Sequence, residues 1–548
     1  MSNNMMSNNM MSNNMMSNNM MSNNVIEDSD LIFHNDLNED GYHSGILKLK
    51  MAKVPITNKP CFLYFSVDTS GSMEETHRGK SKLSFVKATL KNMIQFLENQ
   101  EAEIYVEIRT FNSVVDVLQE CVRITSENMA DIVNKINRMV ADSDTDIGNA
   151  MKVANEAIAS YKDANPEHSI GHIFMSDGSP TSGLIRLDQL CPLVQEEFNN
   201  TFIGFGLDHN AHLFHKFSEK NNVEYRFIDK FENTALVYGE IIHQFLYPAL
   251  VDVRLSVESG EIYDWKTNTW QIELIEPVII SEAEKIYHIR TDYSASNVRV
   301  NIIQNSTGEL IDFTTPIPQL ISLEDDTVED QCLEDLTKYL FRQQTMACLF
   351  DSKHALSGDA KKNLKEKMKA LFRELRTYMR DHDMLEEPML KMLCDDIFIT
   401  YKTMNSAYGM MFAVARCSSQ GRQQTYNTTI DNGNTGDDVI DEDCYEYCDD
   451  DSDADTVILN YRMPRNRRRR TLVAPIRSGR VGSVLTQEMN NSLDLEEDED
   501  EDYELEQQEN EIDFIDEDDL DNYVSTSSNT TCYSTPTVLD TMRQMSQI

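Results

Sequence analysis

The chain lacks the sequence features of secreted and membrane proteins. Its 548 residues contain no apolar run near the roughly 20 residues that a membrane span requires. The first residues do not combine a basic segment with an apolar core, as a signal peptide does. The ten cysteines are scattered without a framework of close pairs, which predicts free thiols in a reducing compartment. We therefore expect an intracellular, cytoplasmic protein that is neither secreted nor bound to a membrane.

Positive charge is also scarce, since 49 lysines and arginines face 93 acidic residues and the net charge is −44. From residue 421 to the end there are 32 acidic residues, 10 arginines and no lysine. Blocks of like charge repel one another and cannot form a core, so 421–548 is predicted to be a disordered acidic tail. Such a tail suits a basic partner. An arginine run at 462–470 lies between two acidic blocks. It either pairs with these blocks or serves nuclear targeting or RNA contact. Of these, pairing with the acidic blocks is favoured, so no nucleic-acid partner is expected.

The rest of the chain divides into segments of different pattern. Residues 1–30 begin with a repeated MSNNM motif that has nothing to bury, which predicts a disordered arm. Buried strands alternate with amphipathic helices over 56–250, which predicts a doubly wound α/β domain with a mostly parallel sheet. Period-two alternation over 251–324 predicts a small β-sandwich, and helical periodicity over 325–416 predicts a helical bundle.

The motifs of common enzymes are missing. The sequence contains neither H-E-x-x-H nor G-x-S-x-G, so an ordinary protease or hydrolase is not indicated. The stretch RGKS at 78–81 follows a strand and precedes a helix, like a phosphate-binding loop. That motif needs a glycine at 74, where this chain has Glu74, whose carboxylate would repel phosphate. We therefore expect no catalytic residues.

Polar residues follow three of the predicted strand and loop segments of the α/β domain. Asp68, Ser70 and Ser72 end the strand "FLYFSVD", Thr145 precedes a helix, and Asp177 follows the strand "HIFMS". Ligands of open α/β sheets bind at the carboxyl ends of the strands, so these side chains are expected to meet. Carboxylate and hydroxyl oxygens are hard ligands that suit Mg²⁺, Mn²⁺ or Ca²⁺ rather than zinc.

This arrangement resembles the von Willebrand factor A domain with its metal-ion-dependent adhesion site. The D-x-S-x-S motif matches Asp68, Ser70 and Ser72, the threonine matches Thr145, and the T-D-G strand end matches Asp177. Ser176 stands where the family commonly has threonine, and Ser143 and Asp144 replace glycines. The Asn-rich repeat and acidic tail also resemble A-domain proteins of giant DNA viruses of the mimivirus kind, which would place the chain in the host cytoplasm or the virion.

The resemblance implies binding rather than bond-breaking. In the family, the divalent cation keeps one coordination position for an Asp or Glu of a partner protein. This implies a non-enzymatic protein–protein interaction adaptor. The alternative is a substrate-receptor subunit of an enzymatic machine, such as a ubiquitin ligase or an ATPase complex, with catalysis supplied in trans.

Overall fold

The computed structural model describes residues 25–37, 41–77, 80–206, 209–228, 234–292, 297–304, 309–316, 336–355, 357–406, 408–424, 520, 523 and 532–547. Most of the predicted N-terminal arm and most of the predicted acidic tail, including the arginine run, lie outside these ranges. No helix within them is long and apolar enough to cross a membrane.

A six-stranded sheet forms the centre of the α/β domain. Its strands are, in chain order, β3 (Cys61–Asp68), β6 (Ile104–Phe111), β7 (Val115–Arg123), β8 (Ser169–Ser176), β9 (Asn199–Phe205) and β10 (Val223–Ile228). Their order across the sheet is β10-β9-β8-β3-β6-β7. All neighbours are parallel except β7, which pairs with β6 in antiparallel register. The predicted α/β fold with a mostly parallel sheet is confirmed.

Helices cover both faces of this sheet. They are α1 (Lys82–Glu98), α2 (Ser126–Asn137), α3 (Ile147–Ala164), the short α4 (Leu187–Leu190), α5 (Ala211–Ser218) and α6 (Thr234–Leu246). Every residue of β3 is buried. The side chains of Leu63, Phe65 and Val67 pack in one core with α1, α2 and α6, whereas Phe62 and Tyr64 pack with α3 on the other face. A small hairpin, β4 (Thr76–His77) and β5 (Lys80–Ser81), precedes α1.

A β-sandwich follows, and it contains more of the chain than the sequence predicts. Its strands are β1 (Ile26–Leu37), β2 (Tyr42–Met51), β11 (Pro248–Glu258), β12 (Glu261–Asp264), β13 (Thr269–Gln271), β14 (Glu273–Ile280), β15 (Glu284–Asp292), β16 (Asn297–Gln304) and β17 (Glu309–Pro316). They form two sheets, ordered β14-β11-β16-β17 and β1-β2-β15-β12-β13, which share one apolar core.

The predicted boundaries of the arm and of the sandwich are therefore wrong at the N-terminal side. Residues 26–30, assigned to the arm, belong to β1, and the 251–324 unit omitted the β1–β2 hairpin. The reason is physical: Leu47, Leu49 and Met51 alternate with exposed or half-buried lysines and fill the sandwich core. Residues 317–324 lie outside the described part of the chain.

The helical bundle consists of α7 (Thr337–His354), α8 (Gly358–Asp381), α9 (Pro388–Thr403) and α10 (Gly409–Arg422). It shares an apolar core with α3, α5 and β10 of the α/β domain. The ring of Phe227 in β10, for example, meets that of Phe412 in α10 edge-on at 5.9 Å. The bundle was predicted to end at 416, but α10 continues six residues further.

The prediction of disorder throughout 421–548 is wrong at both ends. Residues 421–424 complete α10 and its cap, and Pro536–Gln547 form a further helix, α11. Val538 and Met542 of α11 fill the sandwich core, while Met545 enters the core beside α1 and α6. Their spacing of four and three residues is an apolar helical stripe, which outweighs the polar composition around it.

Candidate metal site

The first loop of the site begins where β3 ends. The Asp68 carboxylate is fully buried, and its Oδ1 accepts a hydrogen bond of 2.8 Å from the backbone N–H of Ser70. This bond turns the chain into a short 3₁₀ helix, Gly71–Glu74, which carries Ser72. The hydroxyl oxygens of Ser70 and Ser72 are 3.1 Å apart. One carboxylate and two hydroxyls therefore converge within five residues.

The second loop brings Thr145 beside the first. The N–H of Asp142 donates to the carbonyl of Thr69 (2.8 Å), and the N–H of Gly71 donates to the carbonyl of Ser143 (2.9 Å). Ser143 has a φ of +72°, a conformation that favours glycine, so this position adopts the backbone conformation for which a glycine would be the usual residue. The carboxylate of Asp146 caps α3, because its Oδ1 accepts a hydrogen bond from the N–H of Asn149 (2.9 Å).

The third loop follows β8 and supplies Asp177, which is buried. Its Oδ1 accepts from the hydroxyl of Ser72 (2.8 Å), and the hydroxyl of the preceding Ser176 donates to Asp68 Oδ2 (2.5 Å). A methyl group on the Cα of Gly178 would lie 3.6 Å from Ser72 Oγ and 3.7 Å from Thr145 Oγ1. The structure thus places all five predicted residues at one edge of the sheet.

The two carboxylates form a concentrated negative charge. Burial, and then the charge of Asp177, raise the pKa of the Asp68 carboxyl to about 7, although hydrogen bonds from Ser176 and Ser70 oppose the shift. A buried carboxylate pair of this kind is stabilised by a cation between or beside its members. The site therefore has the charge that a divalent cation requires.

A lysine that sequence reasoning missed already provides part of that positive charge. The ammonium of Lys82, a buried residue, lies 2.8 Å from Asp177 Oδ2 and 2.9 Å from Glu75 Oε2. Lys82 is the first residue of α1, where the helix dipole disfavours a cation. That unfavourable position was the available sequence signal, because a lysine there needs carboxylate partners. The ionised carboxylates of Asp68 and Asp177 carry two negative charges and the Lys82 ammonium carries one positive charge, so the net charge of the buried group is −1.

The five oxygen-bearing residues fit Mg²⁺, Mn²⁺ or Ca²⁺, which take carboxylate, hydroxyl and water oxygens. Ser70, Ser72 and Thr145 offer neutral hydroxyls, and Asp68 and Asp177 supply the charge. One feature opposes the fit: the Lys82 ammonium holds an oxygen of Asp177 and would repel a dication. Glu75 is exposed and is already bonded to the same ammonium, so it offers Lys82 an alternative partner.

Comparison with known proteins identifies the domain that carries these loops. Residues 63–239 match the family model of the von Willebrand factor type A domain, and this part of the chain is such a domain. The domain is commonly a protein-interaction module. The mouse protein inter alpha-trypsin inhibitor, heavy chain 4, is 26% identical over 206 residues, which cover 36% of this chain and 21% of the mouse protein. The chain thus spans about a fifth of the length of the curated relative it matches.

Two solved structures have a similar fold. One is a von Willebrand factor type A protein from Catenulispora acidiphila, which is 14% identical with a TM-score of 0.49. The match covers 69% of this chain and 91% of the Catenulispora chain. The other is the ArnB paralog VWA2 from Sulfolobus acidocaldarius, which is 12% identical with a TM-score of 0.44. The match covers 72% of this chain and 98% of the Sulfolobus chain.

Proposed function

We propose that this protein is a non-enzymatic adaptor that binds a partner protein through a divalent cation. Asp68, Ser70, Ser72, Thr145 and Asp177 would hold the cation, and its open coordination position would take an Asp or Glu side chain of the partner. The observation that supports this most is the convergence of two buried carboxylates and three hydroxyls from three loops. The comparisons do not favour the alternative of a receptor subunit in a ubiquitin ligase or ATPase complex.

A possible catalytic array elsewhere in the sheet does not favour an enzyme. Ser66 Oγ lies 2.9 Å from His172 Nε2, and His172 Nδ1 lies 2.9 Å from Asn200 Oδ1. This order of groups resembles a hydrolase triad. All three residues are at most 3% exposed, however, so a substrate cannot reach the serine. The array is therefore a hydrogen-bonded part of the core.

The chain's own residues explain why the site suits a carboxylate ligand. Among the described residues, Asp68 and Asp177 supply the carboxylates of the site, and the Lys82 ammonium, 2.8 Å from Asp177 Oδ2, cancels one of these charges. A bound dication would therefore keep excess positive charge, which an acidic side chain of a partner neutralises. We propose Mg²⁺ as the resident ion, with Mn²⁺ or Ca²⁺ as substitutes. We also propose that the protein acts inside the cell and that its acidic tail binds a basic partner.

Peptide display against the full chain tests this function. Selection in Mg²⁺ should recover peptides that share an Asp or Glu, and changing that residue to Asn or Gln should abolish binding. Binding should also vanish in chelator and with Asp68→Ala, whereas Asp144→Ala, an exposed acid of the neighbouring loop, should leave it intact. Peptides that bind equally in Mg²⁺, in chelator and to Asp68→Ala would show that the metal site is not the binding site.

A further inference from the structure

Two histidines and a glutamate meet where the α/β domain packs on the helical bundle. His215 lies in α5, Glu219 follows directly after α5, and His354 is the last residue of α7. One possible ligand atom from each residue lies within 4.8 Å of the other two. The two histidine rings meet edge-on at 6.0 Å. This cluster lies on different elements from those that carry the cation site described above.

The environment of His215 is the first observation that indicates a ligand at this cluster. It is only 4% exposed, and neither of its ring nitrogens has a hydrogen-bond partner among the described residues. A buried imidazole normally pairs its nitrogens, because a buried polar group without a hydrogen-bond partner destabilises the fold. The nearest acceptor, Glu219 Oε1, is 3.7 Å from His215 Nε2, beyond hydrogen-bond distance.

His354 is oriented as a metal ligand is. Its Nδ1–H donates to the backbone carbonyl of Phe350 at 2.9 Å, which leaves Nε2 with a free lone pair. Metal-binding histidines typically fix their tautomer through such a bond from the other nitrogen. His354 and Glu219 are both exposed, so an ion can enter from solvent.

We propose that His215, Glu219 and His354 bind a zinc ion that joins α5 to α7. Two imidazoles and one carboxylate are a ligand set that zinc takes, with water in the fourth position. Tetrahedral coordination needs ligand atoms about 3.3 Å apart, so the exposed Glu219 and His354 side chains must close by up to roughly 1.5 Å. The ion would displace the Lys216 ammonium, which now lies 2.9 Å from Glu219 Oε1. Lys353 is the other nearby cation, and it lies over the Phe350 ring.

Zinc titration of the full chain tests this site. The Asp68→Ala background removes the first cation site, and calorimetry then counts the zinc ions that remain. His354→Ala and Glu219→Gln should each weaken zinc binding at least about tenfold, and both positions are exposed, so folding is preserved. Co²⁺ should give the visible absorption of a four-coordinate site, and His354→Ala should abolish it.

His382→Ala is the matched control. His382 also ends a long helix, is exposed, and bonds through Nδ1 to the carbonyl four residues earlier (3.0 Å), but it lies outside the cluster. It should leave both the zinc affinity and the Co²⁺ spectrum unchanged. Equal zinc affinity of His354→Ala, Glu219→Gln and His382→Ala would overturn the proposal, as would a Co²⁺ spectrum unaffected by His354→Ala.

Discussion

Three charged side chains determine the behaviour of the cation site at the scale of single residues. Asp68 and Asp177 are buried next to each other, and Lys82 holds one oxygen of Asp177. The ammonium is an internal counter-ion that stabilises Asp177 when no other cation is bound. It also shares its bond with the exposed Glu75. A metal ion that binds at this site would therefore compete with the Lys82 ammonium for Asp177.

Replacing Lys82 should therefore strengthen metal binding. In Lys82→Met, the repulsion between an ammonium and a dication disappears, and a single charge at this range is worth enough to tighten Mg²⁺ or Mn²⁺ binding about tenfold or more. Without the metal, the variant should be less stable, because Asp177 loses its partner. Calorimetric titration and thermal unfolding in chelator measure both effects.

Lys87→Met is the control for this prediction. Lys87 lies further along α1 and bonds to the carbonyl of Asn137 instead of to the site (3.2 Å). This variant should bind the metal as the unchanged chain does. Weaker or equal binding by Lys82→Met would show that its ammonium does not oppose the cation.

The positions of the five predicted ligands followed from local sequence, since each is a polar residue at a strand end or before a helix. Lys82 did not, because its position at the start of α1 signals a need for some carboxylate partner, whereas the partner itself, Asp177, lies 95 positions later. The contact between His215 and His354 could not be predicted from local sequence either. The two lie 139 positions apart in the sequence, and only the packing of the helical bundle on the α/β domain brings them together.

Three neighbouring strands carry a buried polar row at the scale of elements. Ser66 of β3, His172 of β8 and Asn200 of β9 are hydrogen-bonded across the sheet, one layer below Asp68. Asn200 Oδ1 can only accept, so His172 donates from Nδ1 and accepts the Ser66 hydroxyl at Nε2. Burial lowers the pKa of His172 to about 4. The row therefore requires a neutral histidine.

This requirement predicts acid sensitivity. The pKa of His172 is lower in the folded state than its usual 6.5, so its contribution is complete above pH 6.5 and is lost as the pH falls toward 4. The loss amounts to about 3 kcal/mol. His172→Gln keeps one donor and one acceptor but does not titrate, so it should remove most of this dependence. Thermal unfolding at pH 8 and pH 4.5 measures it; an equal loss of stability in both proteins would contradict the assignment.

Elements were predictable where one segment carries its own pattern. Both β2 and α11 carry an apolar pattern of their own, yet β2 was assigned to no domain and the composition around α11 suggested a disordered tail. The elements against which β2 and α11 pack could not be predicted from the local sequence. β2 pairs with β15, more than 200 residues later, and α11 packs on α6. Such pairings depend on long-range packing that no short window contains.

At the scale of the whole molecule, the von Willebrand factor type A domain lies between two parts of the sandwich in the chain. The β1–β2 hairpin precedes it, and β11 begins at Pro248, with only Tyr247 between it and the end of α6 at Leu246. Helix α11 then packs against α6 and contributes to both cores. The cation site is thus carried by a domain that is joined to its neighbours at several points.

Met542 of α11 tests this arrangement. It is 2% exposed, lies in the sandwich core, and its Cγ would be 3.0 Å from a methyl group on Gly239 of α6. Met542→Ala should lower the free energy of unfolding by about 2–5 kcal/mol, because it leaves a cavity between α11 and α6. Gln544→Ala, an exposed change in the same helix, should have little effect. Equal stability of the two variants would mean that α11 does not pack there.

The central claim is that the three loops at the carboxyl edge of the sheet hold a divalent cation, and a Mn²⁺ titration of the full chain tests it most directly. Electron paramagnetic resonance counts bound Mn²⁺, and Asp68→Asn removes one buried charge while keeping the side chain's size. We expect the unchanged chain to bind Mn²⁺ at this site and Asp68→Asn to bind it roughly 10–100-fold more weakly. His354→Ala, which alters only the second cluster, should bind Mn²⁺ as the unchanged chain does. Identical Mn²⁺ binding by the unchanged chain and Asp68→Asn would contradict the account.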